Sequence, residues 1–201
     1  MNYRWVFAVG LLALCGGVAR AAVPMVLPDH DVVGTYRVSQ PGKPSTTWRV
    51  RYSAQAEIAR ARSLDGTAAG AVLLLNMRSR SALIVLDQMH AVVAVPGVGG
   101  VLDRVLAGDG ARFTPLGTAR IAGRVCNRYL VLKRQASGTV CLTAHGVLLA
   151  GQGHDQHGSI RVTALRVSNA PQPISAFAPP SGYSRVNLPP AMLAQMLGAG
   201  G

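Results

Sequence analysis

Carboxylates are the scarcest chemistry in this 201-residue chain: eight acidic residues stand against 20 lysines and arginines, for a formal charge of +12, and Glu57 is the single glutamate. Any acid/base pair must come from a handful of aspartates such as Asp87 and Asp103, and nothing in the sequence brings two of them together. Lysine is almost missing too, with only Lys43 and Lys133. The positive charge is therefore guanidinium, which pairs bidentately with phosphate and carboxylate and is less heavily hydrated than ammonium. Aromatic residues make up 5% of the chain, too few to interleave with the arginines as base-stacking platforms, so no nucleic-acid partner is expected. GxSxG, P-loop, HExxH and dinucleotide fingerprints are absent, as is any repeat of roughly 20 to 50 residues. The expectation is a binding protein without a cofactor rather than an enzyme.

Long apolar runs are also lacking. The one candidate, Trp5 to Val18, follows Arg4 and precedes Ala19-Arg20-Ala21. It is too short, and too interrupted by Gly16-Gly17, for a membrane span, and reads as a secretory signal peptide over residues 1–21, cleaved near Ala21. No later stretch reaches spanning length, so stable membrane insertion is not expected, and the mature protein is placed in the periplasm or outside the cell. Loss of Arg4 and Arg20 leaves 18 basic against 8 acidic residues, a charge of +10. Cleavage also discards Cys15, which follows Leu14 rather than the small residue that normally precedes a lipidated cysteine. Cys126 and Cys141 then remain in an oxidising compartment, where pairing is the default.

No metal site is expected. There is no CxxC, and neither Asp29-His30-Asp31 nor His154-Asp155-Gln156-His157 has a metal-site spacing with enough further ligands. His90 reads as a partly buried residue of an apolar strand, and His145 falls in a turn.

What is present is alternation. Val32 to Ser39 and Ser45 to Ser53 read as half-buried strands, the second with Trp48, Val50 and Tyr52 on one side and Thr47, Arg49 and Arg51 on the other. Ala54 to Ser63 suits either a helical turn or another alternating strand. Gly70 to Asn76, Ser81 to Asp87 and His90 to Val95 make a meander. Between Gly97 and Gly110, Val101, Leu102, Val105 and Leu106 recur at helical spacing, which predicts a short amphipathic helix lying as a lid over one end of the sheet. The central stretch, Gly117 to Gly151, reads as strand, turn, strand, with Cys126 and Cys141 on the two arms. A turn at Ala136-Ser137-Gly138 would set Cys126 opposite Val147 or Leu148, whereas one at Lys133-Arg134 would align the cysteines; both registers stay open. Gly151 to Gly158 is a polar loop and Ile160 to Ser168 the last long strand. Ile174 to Leu188 is an arm anchored by Phe177 and Tyr183. The division is signal peptide 1–21, one β-rich domain 22–189, and a flexible tail 190–201.

The text from Ile121 through Cys126-Asn127-Arg128-Tyr129, then Cys141-Leu142-Thr143 and His145 to Leu149, resembles a family of exported bacterial proteins of unknown function. Gln172 to Phe177 with Pro180-Ser181-Gly182-Tyr183 is similar to that family's C-terminal signature. More distantly, such proteins resemble the LolA/LolB-like periplasmic lipoprotein carriers. The resemblance implies a mainly β (β-rich α+β) fold: a single curved antiparallel sheet, an incompletely closed barrel with a short helix covering its concave, apolar face. It carries over no binding residue.

The arginine pairs Arg49/Arg51, Arg60/Arg62 and Arg78/Arg80 are each two apart, so in a strand each pair projects from one face. Like charges set opposite each other on neighbouring strands are unfavourable by up to about 1 kcal/mol. With few acids in the chain, an external anion such as a phospholipid or lipopolysaccharide headgroup is the candidate counter-charge. Two functional classes follow. One is an exported carrier for an apolar or amphipathic, anionic ligand such as a lipid; the other is an envelope interaction protein with a filled core and a protein partner.

Overall fold

The computed structural model describes residues 23–65, 70–97, 110–134, 136–155 and 158–186. The expected signal peptide, the lid residues Val101, Leu102, Val105 and Leu106, and the tail lie outside the described residues. Among those described, no helix is long and apolar enough to cross a membrane.

Among the described residues, twelve strands form one sheet: β1 (Val32–Ser39), β2 (Thr46–Ser53), β3 (Ile58–Ser63), β4 (Val72–Asn76), β5 (Ser81–Leu86), β6 (Ala91–Ala94), β7 (Arg112–Ile121), β8 (Arg124–Lys133), β9 (Ala136–Leu142), β10 (Leu148–Asp155), β11 (Gly158–Asn169) and β12 (Ser184–Val186). The spatial order is β12-β6-β5-β4-β3-β2-β1-β11-β10-β9-β8-β7. Two meanders, β1 to β6 and β7 to β11, thus grow outward from the β1·β11 pair at the centre, and β12 and β7 are the outer strands. The sheet is open, as expected. All its pairings are antiparallel but one: β12 runs parallel to β6 at the edge, which makes the sheet mixed.

Residues directly opposite each other in a ladder share a face. On β1, Val32, Gly34 and Tyr36 point to a packed side and stand opposite Tyr52, Val50 and Trp48 of β2, which stand opposite Ala59, Ala61 and Ser63 of β3. Val32, Tyr36, Tyr52, Ala59, Ala164 and Val167 belong to the main core cluster, with Leu149, Val147 and both cysteines. Tyr36 lies over Gly34, where a Cβ would approach the ring Cε2 to 2.5 Å, so any side chain there would displace the buried ring. Burial pushes the Tyr36 phenol up to about 12.

The chain returns after β11 as an arm. Asp31 starts it: its carboxylate accepts the Gln172 N–H at 2.7 Å and the Ala54 N–H at 2.9 Å. A 3-10 turn at Ile174–Phe177 buries Phe177. Tyr183 then packs on Val72, Leu74, Val85 and Val92, donates to Asp87 at 3.3 Å, and leads into β12.

Several expectations are corrected. Ala136-Ser137-Gly138 begins β9 rather than forming a turn, and Lys133 pairs with Ala136. Gly138 is there because β10 crosses close by: a Cβ would run into the Gln152 carbonyl. Gly151 to Asp155 continues β10 instead of looping. Arg112–Ile121 is an additional edge strand, interrupted by a register shift between Pro115 and Gly117, features that blunt an exposed edge. His90 is exposed with φ 46°, outside β6, and its ring lies against Tyr183.

Cys126 and Cys141 form a disulfide, with Cα atoms 5.4 Å apart. Cys141 stands opposite Arg128, so the bridge is diagonal across the β8·β9 ladder. In the chain-entropy picture, a loop of 15 residues closed in this way stabilises the fold by about 3 kcal/mol. Cys126→Ser/Cys141→Ser is expected to lower the unfolding free energy by about 2 to 5 kcal/mol in urea titrations under non-reducing conditions. An unchanged midpoint would show that the bridge contributes nothing to the hairpin.

Candidate functional site

The face opposite Tyr36 and Tyr52 carries the charge. Arg49 of β2 stands opposite Arg62 of β3, and Arg51 opposite Arg60. These four guanidinium groups form two like-charged cross-strand pairs and line one pocket of about 400 Å3 with Ser63, Leu64 and Gly70. Arg51 and Arg60 are half-buried; Arg49 and Arg62 are exposed. Among the described residues, no carboxylate forms an ion pair with any of the four. Burial, then the charges of Arg51 and Arg62, hold Arg60 below the ordinary arginine range, partly offset by Asp87. Its guanidinium remains charged at neutral pH. It also donates through Nη1 to the Ala176 carbonyl at 2.8 Å, tying the arm to β3.

Next to this charged half, the same face turns apolar. Leu74 stands opposite Arg60 and Val72 opposite Arg62, and Leu83 and Val85 continue the rows on β5. Tyr183 of the arm covers this patch. The apolar surface beside the arginines is therefore covered in part by the chain's own arm. A separate apolar trough of about 270 Å3 is lined by Val131, Val140, Ile160 and Val162 over the backbone of Gly138, Gly151 and Gly153. Val162 lies two residues before Ala164 on β11, and Ala164 stands opposite Tyr36, so the trough opens on the face away from the arginine pocket.

Arg78 and Arg80 do not join the other four. They sit in the β4–β5 turn, with Arg80 at φ 54°, and Arg78 contacts Glu57 at 3.6 Å and donates to the Gln55 carbonyl at 3.2 Å. A spacing of two places side chains on one face only within a strand, and here the chain turns.

Asp29 and His30 meet His145 although Asp29 and His145 are 116 residues apart in the chain, a grouping that no local spacing could reveal. The Asp29 carboxylate contacts Nδ1 of His30 at 2.5 Å and Nδ1 of His145 at 2.9 Å, and the Asp29 N–H donates to the His145 carbonyl at 3.3 Å. The hydrogen bonds from His145 and then His30 hold Asp29 below the usual carboxylate range. The three donor atoms lie within 4.8 Å of one another. Nε2 of His30 is buried without a partner, and a metal on Nδ1 would force a proton onto that nitrogen. The cluster thus reads as a clasp between the segment before β1 and the turn before β10, closed further at Gly146, where a Cβ would strike the Leu27 carbonyl.

No protein-family model matches the sequence, and no curated protein matches it. Solved structures match in fold. An uncharacterized conserved protein from Thermus thermophilus superposes with a TM-score of 0.56 at 12% identity, over 80% of this chain and 91% of that one. MucB superposes with a TM-score of 0.54 at 16% identity over 79% of this chain, which spans 60% of the length of MucB. A LolA superfamily protein from Nitrosomonas europaea matches over 77% of this chain and 92% of its own, at 10% identity and a TM-score of 0.42.

Replacing Arg49 and Arg51 together by Gln is expected to leave stability level or to raise it by up to about 1 kcal/mol, as cross-strand repulsion is relieved. Arg60→Gln is expected to cost about 0.5 to 1.5 kcal/mol through the lost bond to Ala176. Urea unfolding of both variants separates the roles. An equal loss in the Arg49/Arg51 variant would reveal intramolecular pairing instead of a waiting site.

Proposed function

We propose that this is an exported envelope binding protein, of carrier type, for an amphipathic anionic ligand such as a lipid. The observation that carries the reading is the pocket of four cross-strand arginines with no ion-pair partner among the described residues, directly beside an apolar patch. Opposed guanidinium groups in a recess are unfavourable until an anion enters, and a phosphate or carboxylate accepts from two guanidinium forks at once. The apolar part of the ligand would lie toward β4 to β6, where the arm now rests. An expected signal peptide at residues 1–21 supports an envelope location. A second reading, an envelope interaction protein, is favoured by the apolar side chains exposed on the outer strand β7 and its neighbour β8, namely Leu116, Val125 and Leu132. MucB, similar in fold, has been solved in a complex with MucA from Pseudomonas aeruginosa; that match has a TM-score of 0.50 at 16% identity over 71% of this chain and 53% of that one.

Binding to phosphatidylglycerol vesicles, titrated at low and high salt, tests the first reading. Wild type is expected to bind with strong salt dependence, and Arg49→Gln/Arg51→Gln to bind more weakly with a shallower dependence. Identical curves for the two proteins would remove the arginine pocket from the function and leave the interaction reading.

A further inference from the structure

The arginine face does not end at the pocket. Thr35 of β1 stands opposite Arg49 on one side and Arg166 of β11 on the other, so Arg166 shares the face. Arg37, two residues along β1, stands opposite Thr163, which stands opposite Ala150 of β10. Ala150 pairs with Cys141 of β9, and Cys141 with Arg128 of β8. Arg161, two residues before Thr163, stands opposite Ser39 and Gln152 and donates to Gln152 Oε1 at 3.0 Å. Arg128 and Arg161 line a second recess of about 240 Å3, with Ile121, Thr139, Gln152 and Thr163. Among the described residues, none of Arg37, Arg128, Arg161 and Arg166 is in an ion pair.

One face therefore reads, from β6 to β8, as an apolar patch, a first arginine recess, a bridge of Arg37 and Arg166, and a second arginine recess. From β3 to β8 there are six interstrand steps, about 29 Å at roughly 4.8 Å each. A single headgroup phosphate fills only the first recess and leaves Arg37, Arg128, Arg161 and Arg166 with no ion-pair partner among the described residues.

We propose that the ligand carries several anionic groups along an extended headgroup, the first held by Arg49, Arg51, Arg60 and Arg62 and a later one by Arg128 and Arg161. This rests on the anion-binding reading given above and specifies the ligand class. A slender chain fits because Arg51 and Arg60 are half-buried in the floor of a recess, where a flat membrane surface cannot follow. Two recesses filled by one ligand act as linked sites, with an affinity gain once the ligand is long enough to reach both.

Linear polyphosphate serves as a soluble probe of the headgroup. Calorimetric titration of the wild-type protein with tripolyphosphate and with a chain long enough to span about 29 Å is expected to show at least about tenfold tighter binding of the long chain at equal phosphate concentration. Arg128→Gln/Arg161→Gln is expected to abolish that length advantage while binding tripolyphosphate as wild type does. Arg78→Gln/Arg80→Gln, which removes the same charge from the β4–β5 turn, off the arginine face, is expected to keep the advantage. Equal affinity for the two lengths, or a length advantage that survives in the Arg128/Arg161 variant, would overturn the proposal while leaving the first recess intact. Failure of the wild type to bind either probe would instead overturn the anion-binding reading on which it stands.

Discussion

The pairing of β1 with β11 is the constraint on which the rest of the sheet depends. Each meander is built from neighbours in sequence, and their hairpins need only short loops. Joining them requires residues 32–39 to find residues 161–169, a long-range closure. That pairing fixes which face every later strand presents, because a slip of one residue would exchange the tyrosine and arginine faces across β1, β2 and β3. The ladder contains a register shift between Thr35 and Tyr36, which lets Val167 and Ala164 both join the core cluster while Arg166 stays on the charged side. The latches around it act on the same joint: Asp31 binds both the β2–β3 turn and the start of the arm, and the Asp29 clasp binds the turn before β10.

With the faces fixed, the distribution of charge becomes a physical problem for the fold. Opposed arginines in β2 and β3 work against the sheet, and the chain supplies few carboxylates to answer them. Stability comes from elsewhere: the packed tyrosine face, the disulfide between β8 and β9, and the arm that covers Val72 and Leu74. The arm is itself tied to the charged half by Arg60, so the recess and the apolar patch are mechanically joined through one hydrogen bond to Ala176. On the proposed reading, a ligand entering the recess would compete with that bond while recruiting the other guanidinium groups.

Legibility in the sequence followed the range of the cause. Alternation in Val32–Ser39 and in Thr46–Ser53 is a local signal, and both strands stand where the pattern put them. So does the same-face placement of Arg49/Arg51 and Arg60/Arg62, although only the register reveals that the two pairs meet. Glycine misled the reading. Gly138 and Gly151 have the composition of turns, yet they lie in strands, Gly138 because a neighbouring backbone comes too close for a Cβ and Gly151 beneath an apolar trough. Pro115 concealed β7, since proline is tolerated on an edge strand but argues against a central one. The extension of the charged face through Arg37, Arg166, Arg161 and Arg128 draws on strands from both meanders, and no spacing in the sequence encodes it.

On the proposed reading, the arginine face holds an anionic amphiphile. Native mass spectrometry of the protein released gently from its host envelope tests this most directly. The account predicts a co-purifying amphiphile with anionic groups on the wild-type protein, and its loss from a variant with Arg49, Arg51, Arg60 and Arg62 all replaced by Gln. A wild-type protein that emerges without ligand, and takes up none when offered anionic lipid, would contradict it.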